Sequence, residues 1–385
     1  MERGHKVKIS CHNINLKKIL TVFVLFVSVT FINAQKESGY NYVSRMMYRI
    51  PDSLTQTTDG IASYVNASFS NNKDKSRAIF VWISKNIKYN FDSIITNSIY
   101  ETPSEVSERI LRTRTGVCLN FAHLFNELSN KAGIKSYIIQ GYTKQNGKVD
   151  YLPHIWCASY IDTAWFLFDP TWGSGYVSRG RYISQVNGYY FMARPEKLIR
   201  SHMPFDPMWQ FLNYPKTHHE FKNSGYKPDS TKSYFNFLDT LKTWENSTDL
   251  QRAVSTARRI EQSGVTNNFV AAKLRVVKGD VEYLSNKNAA QKYDTAVSRY
   301  NEGIQVFNRF IGYRNEQVND SVLLIQILDT SEACLNSALS ILSEARGVDE
   351  HIISSINMLR NEINNTRMML NLQRAIFISQ LRTRN

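Results

Sequence analysis

The chain has 385 residues, 42% of them hydrophobic and 21% charged, with a formal net charge of +14. That balance is ordinary for a soluble globular protein, and the length suits about two domains. No basic run stands out after residue 18, so the positive charge gives diffuse attraction to anionic surfaces and lacks the clustered stripe that nucleic-acid binding requires.

The N-terminus reads as a targeting segment. Arg3, Lys6, Lys8, Lys17 and Lys18 precede an apolar run at 19–32, and Ala34 stands at a plausible cleavage point. The run has 14 residues, whereas a membrane span needs roughly 20. The expectation is a signal peptide over 1–34 and an exported protein, periplasmic or secreted, with no membrane span after cleavage; the alternative is an uncleaved anchor. Cleavage would remove Cys11 and leave Cys118, Cys157 and Cys334, an odd set that does not build a disulfide framework. No CxxC or HxxxH spacing occurs, so neither a structural zinc nor any other metal or cofactor is expected.

In chain order, 35–70 is a polar lead-in with short helical patches. Over 74–90, Ala78, Ile79, Trp82, Ile83 and Ile87 recur at helical spacing. A short helical pattern at 106–113 follows. Beyond it, Phe121, Leu124, Phe125, Leu128 and Ala132 mark one face of a helix that Gly133 stops, with Cys118 at its N-terminus. Residues 136–143, 154–161 and 165–172 are β-branched and aromatic runs split by turn residues, which predicts antiparallel strands. Residues 176–220 read as loop-rich and aromatic. A linker-like stretch spans 221–235. After it, long helical patterns run over 268–285, 288–310, 318–345 and 350–382, and Cys334 sits on an apolar face as a packing residue. The expected organisation is an α+β core at 35–220, in which the cysteine-bearing helix packs on a small antiparallel sheet, and an all-α domain at 236–385.

Cys118, His154 and Asp169 form the constellation able to carry chemistry. Acyl transfer to a thiol needs a thiolate, a base that later acts as acid, and a group that fixes the base. A helix N-terminus offers unsatisfied N–H groups and the positive end of the helix dipole, which stabilise a thiolate and a developing oxyanion alike. A connection of four residues, 161–164, sets Trp156 opposite Asp169 with His154 one diagonal away. A connection of two residues, 161–162, sets His154 directly opposite. Either places His154 and Asp169 on one face of the sheet. Cys157 points to the other face and reads as packing.

These residues resemble the transglutaminase-like superfamily, a branch of the papain-like cysteine enzymes, and look closest to bacterial relatives of the kyphoscoliosis peptidase group. The resemblance rests on Gly116-Val117-Cys118 with Asn120, Phe121 and Ala122, on His154-Ile155-Trp156, and on Asp169-Pro170-Thr171-Trp172-Gly173. It extends over about 60–220, including the stretches IFVWISKNIKY and YFMARPEKLIRSHMPFDPMWQ. It implies a papain/transglutaminase-like fold, with Cys118 as nucleophile, His154 as base then acid, and Asp169 as orienter. It also implies a protein or peptide substrate attacked at an amide carbonyl through a thioester, in a peptidase, a transglutaminase or a deamidase. The second oxyanion donor is left open; the Trp82 indole is one candidate. The alternative is a non-catalytic scaffold whose helical C-terminal domain binds a protein partner. Arylamine acyl transfer shares the Cys-His-Asp order but not the export signal.

Overall fold

The computed structural model describes residues 41–90, 102–178, 181–223 and 227–383. The export segment expected at 1–34, with Cys11, lies outside the described residues. The chain divides into two compact units. One runs through Pro204 and adds Trp209–Tyr214 and Glu220–Ser233; the other takes Phe205–Met208, Pro215–His219 and Tyr234–Asn385.

In the first unit, helices α1, Thr58–Ser68, and α2, Asn72–Asn86, precede a short strand β1, Lys88–Tyr89. Helix α3 is Pro103–Thr113, strand β2 is Thr115–Gly116 and helix α4 is Cys118–Lys131. The side-chain oxygen of Asn71 caps α2 by accepting from the Asp74 N–H at 2.8 Å. A reciprocal cap between Thr102 and Glu105 starts α3, with Pro103 as its first residue. Phe121, Leu124, Phe125 and Leu128 of α4 are fully buried, as their spacing predicts, each worth roughly 1.5–3 kcal/mol. Glu127 ties this helix to its neighbours: Thr58 Oγ1 donates to its carboxylate at 2.6 Å, and Ser107 Oγ donates to the other oxygen.

Strands β3, Ser136–Gln145, β4, Lys148–Ile161, and β5, Ala164–Phe168, follow. A hairpin, β6, Gly175–Ser178, and β7, Arg181–Ser184, leads to a one-turn helix α5, Pro195–Leu198, and to strand β8, His202–Pro204. The main sheet is antiparallel in the order β5-β4-β3-β8. The stretch 176–220 is therefore less of a loop than expected, because three short strands lie within it. The expected linker at 221–235 begins inside helix α6, His218–Asn223, whose Phe221 is fully buried and meets Tyr142 edge-to-face at 5.4 Å.

In the second unit, α7, Phe237–Glu245, and α8, Asp249–Ser263, precede three long helices: α9, Asn268–Asn315, α10, Ser321–Glu344, and α11, Glu350–Arg382. The two helices expected over 268–285 and 288–310 are one. Asn286, in the gap between the two expected ranges, stays helical, and its side-chain oxygen accepts the Val348 and Asp349 N–H groups at 2.8 and 3.0 Å, just ahead of α11. Helix α10 is long and apolar enough, by length and composition only, to cross a membrane. Its Leu324, Leu328, Leu335 and Ala338 lie instead in the apolar core that α9, α10 and α11 share.

One close approach sets the part of the sheet that matters most. Gly141 of β3 pairs with His154 on one side and Pro204 on the other. A Cβ there would lie 2.1 Å from the Met203 carbonyl oxygen and 2.5 Å from the Trp156 ring. Gly141→Ala should therefore cost about 2–3 kcal/mol in urea unfolding, the usual range for overpacking. Gly188→Ala, where nothing lies within 4 Å, should stay within about 0.5 kcal/mol of the natural chain.

Candidate active site

Cys118 is the first residue of α4, and the turn before it is fixed twice. Asn120 Oδ1 accepts the Val117 N–H at 2.9 Å, while the Asn120 and Phe121 N–H groups donate to the Val117 carbonyl at 2.8 and 3.1 Å. The fit leaves no room beside Gly116, where a Cβ would come within 2.6 Å of the Asn120 Cβ. On the other side β2 pairs in parallel with β1, with Tyr89 opposite Gly116 and the Asn90 N–H donating to the Gly116 carbonyl at 3.0 Å. The half-buried Cys118 thiol is free.

His154 and Asp169 reach the site from β4 and the end of β5. The register Tyr160↔Trp165 and Cys157↔Phe168 is the one that sets Trp156 across from Asp169 and His154 one diagonal away, although pairing continues to Ile161↔Ala164 and the turn itself is only 162–163. His154 Nε2 donates to Asp169 Oδ2 at 2.8 Å. That leaves Nδ1 as the ring nitrogen for Cys118, whose side chain is near enough to help raise the ring. The structure thus brings all three residues together. Cys157 faces away, fully buried, with its thiol donating to the Ala122 carbonyl at 3.3 Å, and burial pushes that thiol up. Trp82 is buried in the core beneath the Arg114 guanidinium, 5.0 Å from its ring centre.

Asp169 holds more than one histidine. Its Oδ1 accepts the Thr171 and Trp172 N–H groups at 2.9 and 3.0 Å, and its Oδ2 accepts from His202 Nε2 at 2.9 Å as well as from His154. His202 was not expected from the sequence. The only signal was its place in the stretch SHMPFDP, and strand β8, which carries it, is too short to show a period. His154, His202 and Asp169 offer atoms within 4.8 Å of one another, a set whose types also bind divalent metals. Here each Nε2–Oδ2 pair lies at hydrogen-bond distance, and a nitrogen that donates to the carboxylate is not at the same time a ligand.

The electrostatics follow from burial and sharing. Burial alone would raise the Asp169 carboxyl, but the charge and hydrogen bond of His154, with the hydrogen bond of His202, hold it well below the usual carboxylate range. Burial disfavours a charged His154 ring, yet Asp169 and Cys118 outweigh it and lift the ring to about 10. His202 goes the other way. Burial pushes it down, and its bond to Asp169 does not compensate, because a carboxylate carries one negative charge and the two rings lie 5.5 Å apart. Trp156 stacks on His154 at 6.1 Å, and Trp172 lies 5.4 Å from the same ring. Trp156, fully buried, closes the inner side of the ring, and half-buried Trp172 borders the cleft.

The open side is a cleft of about 910 Å³ whose lining includes His154, Tyr89, Trp172, Tyr182 and Tyr190. Burial, with the nearby Cys118 and Asp169, pushes the Tyr89 phenol up to about 12, so it stays a hydrogen-bond donor at neutral pH.

Residues 59–170 match the model of the transglutaminase-like superfamily. This stretch is a transglutaminase-like domain. The superfamily includes cysteine peptidases and transglutaminases. Over 161 residues the chain is 31% identical to kyphoscoliosis peptidase of Mus musculus, covering 40% of this chain and 24% of that one. It is 28% identical to hillarin of Drosophila melanogaster over 174 residues, 39% of this chain and 20% of the other. It thus spans about a quarter or less of the length of these relatives. Among solved structures, the periplasmic domain of TgpA from Pseudomonas aeruginosa aligns with 30% of this chain and 42% of its own at 19% identity, with a TM-score of 0.25. Within the transglutaminase-like domain lie Cys118, His154 and Asp169; His202 lies beyond the matched residues.

Ion pairing at Asp169 sets a pH dependence for stability. A carboxyl held low contributes fully above its unfolded value, about 4, and loses that contribution as pH falls below it. A histidine raised to about 10 contributes fully below its unfolded value and loses the contribution as pH rises from about 6.5 toward 10. Urea unfolding should therefore show stability highest between about pH 4 and 6.5. In Asp169→Asn both the acid and the alkaline decline should flatten.

Proposed function

We propose that the chain is a thiol-dependent enzyme acting on amide bonds of proteins or peptides. The observation that carries this reading is the His154–Asp169 hydrogen bond, with Cys118 near enough to act on the same ring and His154 in the lining of an open cleft. The Cys118 thiolate attacks the amide carbonyl and forms a carbon–sulfur bond. The oxygen takes the displaced electron pair, and the backbone N–H of Cys118 at the start of α4 is the first donor to it. His154, protonated at Nδ1, gives that proton to the amide nitrogen as the carbon–nitrogen bond breaks. A thioester on Cys118 and a free amine or ammonia result. His154, now neutral, takes a proton from the water or amine that attacks the thioester carbonyl and keeps it as the carbon–sulfur bond breaks, which restores the Cys118 thiolate beside a protonated ring. Water gives hydrolysis, the outcome for a peptidase or deamidase; an amine gives cross-linking.

Asp169 contributes by keeping His154 charged and aimed. The four-donor cage means that it does so without taking the proton itself, because its carboxyl lies far below the imidazole. With the segment 1–34 as an export signal, the enzyme would work in the periplasm or outside the cell.

The test uses a panel of peptides, with and without a glutamine and with an added primary amine, read by mass spectrometry for cleavage, a mass gain from deamidation, or amine incorporation. Cys118→Ala should abolish all three while the unfolding free energy stays within about 1 kcal/mol, since alanine is well tolerated at a helix start. Product formation by folded Cys118→Ala would contradict the reading. Activity on none of the peptides by the natural chain, with equal thiol reactivity in the presence and absence of His154, would point to the scaffold alternative.

A further inference from the structure

Three donors hold Asp169 before His154 is counted: the Thr171 and Trp172 N–H groups on Oδ1, and His202 Nε2 on Oδ2. The two backbone donors pin one oxygen but leave the carboxylate able to rock about it. The third donor fixes the other oxygen and leaves it one free direction, toward His154.

The proton positions on His202 follow from what its neighbours can do. An ionised carboxylate only accepts, so His202 Nε2 must carry the hydrogen. The ring is buried among Trp156 and Trp172, at 5.1 and 4.7 Å, and burial favours its neutral form. A neutral ring protonated at Nε2 has an acceptor at Nδ1, and Ser201 Oγ lies 2.9 Å from it. The hydroxyl therefore donates to Nδ1 and selects the tautomer that serves Asp169. Its other contact, to the Leu198 carbonyl, is longer at 3.4 Å.

We propose that His202 and Ser201 are positioning residues that extend the run to Cys118–His154–Asp169–His202–Ser201. The inference rests on the thiol reading of the site. His202 touches no substrate; it acts through Asp169, by supplying a neutral N–H at Oδ2 that aims the carboxylate without competing for its charge. A cation in its place would draw off the field that keeps His154 protonated, whereas an apolar group would leave Oδ2 with one donor in a dry pocket. Strand β8 exists in this account to deliver His202: its three residues pair with β3 opposite Gly141, Tyr142 and Thr143.

The experiment is the rate of iodoacetamide alkylation of Cys118 at pH 6 in the full chain, followed by mass spectrometry of the Cys118 peptide. Melting temperatures establish that each variant is folded. His154→Ala supplies the baseline. His202→Phe keeps an aromatic ring without the N–H and should slow alkylation about tenfold, the loss of one hydrogen bond to a charged group. His202→Gln keeps an N–H donor at similar reach and should recover most of the rate. Ser201→Ala, which frees the tautomer, should slow it about two- to fivefold. A folded His202→Phe at the natural rate, or His202→Gln and His202→Phe slowed alike, would overturn the role of His202. If His202→Phe does not fold, natural rates in Ser201→Ala, or a His202→Gln as slow as His154→Ala, overturn it. Equal rates in the natural chain and His154→Ala would instead remove the thiol reading itself.

Discussion

The Asp169 carboxylate is fully out of water, and a buried charge persists only where hydrogen bonds and an opposite charge replace the solvent. Here four donors do so, from the turn after β5, from β4 and from β8. The donors come from three pieces of local structure, so the carboxylate is also where those pieces are held in register. The turn can close only because Thr171 and Trp172 present their N–H groups to Oδ1. The sheet can bring His154 and His202 to one oxygen only because Gly141, between their strands, has no side chain. Removing the carboxylate would leave two rings and two backbone groups without their partner in a site walled by indoles.

The cysteine side of the site is built on a different principle. Cys118 depends on the start of α4, and that start depends on Asn120 folding back to Val117 and on the parallel pairing of β1 with β2. Nothing in this turn requires Asp169. The two halves meet only at the His154 ring, which gives Nε2 to the carboxylate and has Nδ1 left for the thiol. Catalysis by this route needs both halves to be rigid, since a thiol and an imidazole react productively only when held near contact. The α4 core of Phe121, Leu124, Phe125 and Leu128 supplies that rigidity from below.

Cys118, His154 and Asp169 were legible in the sequence because each sits at a boundary that sequence marks clearly. A glycine and an amphipathic run frame Cys118; alternating strands and the turn residues Asp169 and Pro170 frame the other two. Period-two alternation puts the histidine and the carboxylate on one face in either register, and the structure takes the one with Trp156 opposite Asp169, closed by a turn of only 162–163. His202 was hidden for the opposite reason. Its strand has three residues and ends in proline, so no period can show, and its partner is set by a crossover from β3 that leaves no local trace. The joined helix α9 was missed because Asn286 and its polar neighbours look like a break, although a polar face is what an exposed turn of a long helix presents. The helical unit could be read as helices, but its pairing could not.

The most direct test is the rate at which iodoacetamide alkylates Cys118 in the natural chain, in His154→Ala and in Asp169→Asn, read at one pH by mass spectrometry of the Cys118 peptide. The account predicts that both substitutions slow the reaction, because the thiol reacts through the base beside it and Asp169 aims that base. Equal rates in the natural chain and in both folded variants would contradict it.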